Sequence, residues 1–147
     1  MMKVDLCKNV LNAMVAGAKQ QGIKSGVAVI AVQAPSSKNM RLYTTTIGEV
    51  VETVRGKPIN HYGKAQMKIA KMLSTGRSSG VMPVGAEGEL AQTGGYVYFT
   101  PEAYTIYIAF DGGTLPKEMA VAYAGMAVLI EEYPSDIIPP AGYKRKQ

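Results

Sequence analysis

At 147 residues, with 47% hydrophobic and 18% charged side chains, the chain has the composition of one folded domain rather than a disordered or repetitive protein. One cysteine and one histidine exclude an internal disulfide and a structural zinc site, which needs three or four such ligands. The net charge of +5 is scattered except at Lys144-Arg145-Lys146, which argues against a nucleic-acid interface.

No segment offers eighteen uninterrupted apolar residues, and the N-terminus lacks a secretory pattern. No membrane association and a cytoplasmic location are therefore expected. Residues 3–21 read as an amphipathic helix, with Leu6, Val10, Met14 and Ala18 on one face and Gly22 to end it. Cys7 sits one position off that stripe and reads as a packed small hydrophobe. Residues 26–32 form a β-branched apolar run that predicts a buried strand, and residues 40–45 read as its return. Residues 46–57 fit a strand, a short helix or a lid loop equally well.

Asn60 predicts the cap of a second helix whose apolar face would hold Tyr62, Ala65, Ile69 and Met72 or Leu73. His61, Lys64, Lys68 and Lys71 recur at spacings of three and four on the other side as one basic stripe. A long loop follows over residues 74–90. Residues 96–100 and 104–110 predict two more strands, and residues 116–132 a small-residue helix with Pro116 in its first turn. Residues 1–133 make one domain, and residues 134–147, with Pro134, Pro139 and Pro140, a Pro-rich C-terminal extension. Hairpins separated by helices argue for an α+β fold on an antiparallel sheet.

Few residues can carry chemistry. No Ser-His-Asp or Cys-His constellation is evident, and no phosphate-loop or dinucleotide motif. Gly94-Gly95 and Gly112-Gly113 bracket one hairpin, and the second pair opens into a helix, where freed amides suit an anionic group. The plainer reading is turn chemistry, which Asp111 before Gly112 also suits. His61 can ligate a tetrapyrrole metal, with Lys64 and Lys68 meeting acidic side arms, or it is an exposed first-turn residue beside a wet lysine face.

Gly63-Lys64-Ala65, the segment from Glu89 to Gly95 and Asp111-Gly112-Gly113 before an Ala-rich helix resemble the GlcG/HbpS-type haem-binding or haem-degrading proteins. The same module forms the C-terminal part of PduO-like proteins of diol metabolism. The resemblance covers roughly residues 6–129 and departs from the family in carrying Asp111 where most relatives have Ser. It implies a profilin-like sheet with helices on both faces, a three-layer α/β/α sandwich, and a homo-oligomer between dimer and octamer. It also implies haem, or a corrinoid, as ligand. The site expected from the residues and the resemblance together is His61, as metal ligand, with Lys64, Gly94, Gly95, Asp111, Gly112 and Gly113. The alternative function is a non-catalytic accessory protein of a diol or glycerol utilisation operon with a cobalamin-dependent dehydratase. A small-molecule enzyme with a site between subunits is a third class.

Overall fold

Helix α1 (Val4–Gln20) buries Leu6, Val10, Leu11, Met14 and Ala18 along one stripe. It ends in a left-handed Gly22, with Gly22 N–H bonded to Lys19 O and Ile23 N–H to Ala18 O. The structure is a computed structural model that describes residues 4–78 and 95–133.

Strand β1 (Gly26–Gln33) lies inside a four-stranded antiparallel sheet of order β2-β1-β6-β5, flanked by β2 (Met40–Ile47) and β6 (Thr105–Asp111), with β5 (Gly95–Phe99) at the far edge. Because β1 is covered on both faces, its apolar run does not alternate with polar residues. Val27, Val29 and Ala31 face α2 (His61–Thr75), alongside Ala65, Ile69 and Met72. Ala28, Ile30 and Val32 face α1 and α3 (Leu115–Glu132), alongside Met14, Val121 and Met126. The result is the expected α+β architecture with helices on both faces of one antiparallel sheet.

The small residues of α3 let it approach α1 closely. Gly17 faces Ala124, and a Cβ on Gly125 would meet Met14 Cγ at 2.8 Å. Asn60 caps α2 as expected, its side chain accepting from Gly63 N–H at 2.9 Å, and left-handed Gly76 ends that helix. The segment left open by the sequence is a hairpin. Strands β3 (Val51–Val54) and β4 (Lys57–Asn60) pair around Arg55-Gly56, both at positive φ, as a two-residue turn of this hand requires.

The basic stripe of α2 is not a solvated face. Lys68 and Lys71 are each 1% exposed and His61 3%, whereas Tyr62 and Leu73, assigned to the apolar face, are 41% and 43% exposed. The helix is thus rotated so that His61, Ala65, Lys68, Ile69 and Met72 point inward, and carboxylates on the sheet and on α3 receive the Lys68 ammonium. Among the described residues no helix is long and apolar enough to cross a membrane. The expectations for Gly94, for most of the loop at 74–90 and for the extension at 134–147 lie outside the described residues.

Candidate functional site

The C-terminal end of β6, the N-terminal turns of α2 and α3, and the β3–β4 hairpin meet at one cleft of about 460 Å³. That volume is within the range of small-ligand sites, roughly 300–1,000 Å³. Asp111, last residue of β6 and 2% exposed, organises its floor. One carboxylate oxygen lies 2.7 Å from His61 Nδ1, and the other 3.0 Å from Lys68 Nζ and 3.9 Å from Lys64 Nζ. Burial pushes this carboxyl up, but the Lys68 charge, the hydrogen bonds from His61 and Lys68, and the Lys64 charge together hold it below the usual Asp value.

Lys68 spends all three ammonium protons inside the protein. It donates to Phe110 O at 2.7 Å and reaches Asp111 and Glu118 at 3.0 Å each. Glu118, in the first turn of α3, turns its second oxygen to the amides of Gly112 and Gly113, which donate at 2.8 and 3.2 Å. Its burial raises the Glu118 carboxyl above the usual Glu value, against the pull of Lys68 and the Gly112 N–H and with help from the Asp111 charge.

These contacts revise three expectations. The Gly112-Gly113 nest exists, but its anion is the chain's own Glu118 rather than a ligand. Lys68 has no proton left for a ligand's acidic arms, and Asp111 is a buried ion-pair partner rather than a turn residue. Gly112 is glycine for close approach: it sits at φ +150°, and a Cβ there would lie 2.3 Å from Ser25 O. Gly95 does not line the cleft; it lies under Met72, where a Cβ would meet the methionine methyl at 2.4 Å.

His61 closes the arrangement. Its Nδ1 faces Asp111, while its Nε2 lies 2.7 Å from Glu52 Oε1 on the hairpin, a carboxylate whose side chain is 33% exposed. Lys64, with a 41% exposed side chain, and Lys117 line the cleft, and among the described residues Lys64 reaches only Asp111, at 3.9 Å. The structure therefore brings His61, Lys64, Asp111, Gly112 and Gly113 into one cleft. Glu52 and Glu118 were not foreseen. Glu52 lies in the stretch that sequence could not resolve, and the one signal for Glu118 was an acidic residue in a first helical turn just after a glycine pair.

Among the described residues, no group of three or more His, Cys, Asp or Glu side chains is placed to hold a bare metal ion. One correctly oriented imidazole is still enough for a metal that brings an equatorial macrocycle with it. A carboxylate on Nδ1 holds the ring plane and, once Nε2 is released from Glu52, favours the tautomer with Nε2 unprotonated, as carboxylates behind metal-bound histidines do.

No protein-family model matches the chain, and no curated protein does. Among solved structures it is similar to a chain described as the crystal structure of the PduOC:haem complex, with a TM-score of 0.62 and 13% identity. The alignment covers 95% of this chain and 98% of that one. The likeness, over nearly the full length of both chains, is one of fold.

Proposed function

We propose that this chain is a PduO-like, GlcG/HbpS-type haem-binding protein that takes haem into the cleft through His61 Nε2. The observation that carries the reading is the Asp111–His61 contact of 2.7 Å, which turns Nε2 toward the hairpin side of the cleft, where partly exposed Glu52 covers it. Asp111 holds the ring, Lys64 and Lys117 receive the propionates, and the apolar side chains of Ile23, Val54 and Ile59 contact the macrocycle. Glu52 leaves Nε2 when the ligand enters. Bound haem would supply an iron centre for ligand exchange or electron transfer. The residues here bind it and orient the imidazole.

The full-length fold match to a haem complex supports the same reading. Titration of haem into the full chain, followed by absorbance, should show a saturable Soret shift at one haem per chain. The double substitution Lys64→Glu, Lys117→Glu should weaken it at least about tenfold, since two attractive pairs become repulsive. A titration that never saturates would overturn the proposal, and saturation with cobalamin but not haem would reassign the ligand to a corrinoid.

A further inference from the structure

A second cavity, of about 350 Å³, lies at the other end of the α1 layer, between the first turn of α1, the end of β1, β2 and the start of β6. Val32 and Ala34 line it, whereas Ser25, just before β1, lines the first cleft, so at about 3.3 Å per residue the two are roughly 20 Å apart. They share no lining residue.

The cavity has a mixed lining. Buried Cys7 and Val32, with half-buried Ala34, supply its apolar part. Arg41, the cross-strand partner of Val32, lines it with Tyr43 and Tyr104. Arg41 makes no ion pair and no side-chain hydrogen bond with any described residue, and the hydroxyls of Tyr43 and Tyr104 meet no partner among them. An exposed guanidinium with no carboxylate partner among the described residues, beside an apolar surface, describes a place for an anionic group that carries an apolar body.

We infer that this cavity is a binding site for a small organic acid, with one carboxylate on Arg41 and a compact apolar or aromatic body over Cys7, Val32 and Ala34. The guanidinium fork matches a carboxylate bidentately. The single cation argues against a polyanion, and the volume, at the small end for ligand sites, argues for a body of about one ring. Cys7 is a wall here and not a nucleophile, since burial pushes its thiol up and keeps it protonated.

The test is a titration of the isotope-labelled full chain with benzoate, read by amide NMR shifts. Saturable shifts centred on Val32, Arg41 and Tyr43 are expected, with a dissociation constant on the order of 1 mM for so small a ligand. Arg41→Gln, on an exposed strand position, should weaken binding at least about tenfold, and uncharged benzamide should bind the wild type as weakly. Lys64→Gln should leave benzoate binding unchanged. Shifts that do not saturate, equal binding by Arg41→Gln or of benzamide, or shifts centred on His61 would each overturn the inference.

Discussion

Lys68 is the residue on which the cleft's charge balance turns. Its ammonium is 1% exposed and lies between two carboxylates at 3.0 Å, so removing it strands both in a buried site. Lys68→Met should therefore cost about 3–5 kcal/mol, the usual penalty for breaking a buried pair, measured by urea unfolding. A loss under about 1 kcal/mol would show that water reaches the carboxylates. The two carboxyls also set opposite pH trends. Glu118, raised above its ordinary 4.5, binds its proton more tightly in the folded chain, so acidification through that range stabilises the fold. Asp111, held below its ordinary 3.8, does the reverse, so stability falls as pH drops further through its titration. Unfolding midpoints across pH 2–6 should show the acid-side loss shrink in Asp111→Asn and the earlier gain vanish in Glu118→Gln. A wild-type acid limb retained in Asp111→Asn would contradict the assignment. Residue types and the family resemblance together singled out His61, Lys64 and Asp111, but the burial of Lys68 was not legible. Its partners lie 43 and 50 positions further along the chain, and helical periodicity carries no information about them.

The β3–β4 hairpin forms one side of the cleft, through Glu52, Val54 and Ile59. Its root is pinned where Gly48, at φ +60°, packs on Lys24 and Ser25, and where Glu49 N–H donates to Ser25 Oγ at 3.1 Å. Beyond that root, Glu52 on His61 is its polar tie to the site, at 2.7 Å. Glu52→Ala should free Nε2 and admit haem several-fold faster in stopped-flow absorbance, with little change in fold because this carboxylate is partly exposed. Uptake slower than wild type would mean that Glu52 helps to bind the ligand instead of yielding to it. The hairpin escaped the sequence reading because its strands are four residues each, with Pro58 inside the second and weak alternation in both. The cap of α2, the left-handed stop of α1 and the proline start of α3 were legible, since each is a local device whose partners lie within one turn.

At the scale of the whole molecule, the sheet has two open edges among the described residues, β2 and β5, carrying exposed Leu42 and Phe99. With Tyr62 and Leu73 exposed on the covering helix, this supports a proposal of self-association. Light scattering of the full chain at micromolar concentration should give a mass at least twice 15.7 kDa, and a monomer mass would reject it. The layered architecture was legible in the order of hairpins and helices and in the family resemblance, whereas the cleft joins two segments far apart in sequence, the hairpin with the start of α2 and the end of β6 with the start of α3, whose His61 and Asp111 are 50 positions apart.

Haem binding through His61 is the central claim, and the direct measurement is chemical rescue. His61→Gly removes a buried ring that touches two carboxylates, so its fold is first checked by circular dichroism. Haem added to the folded variant should give no wild-type Soret spectrum. Free imidazole at millimolar concentration should restore that spectrum by occupying the vacated space beside Asp111. A wild-type spectrum in His61→Gly without imidazole would contradict the account and place the iron on another side chain.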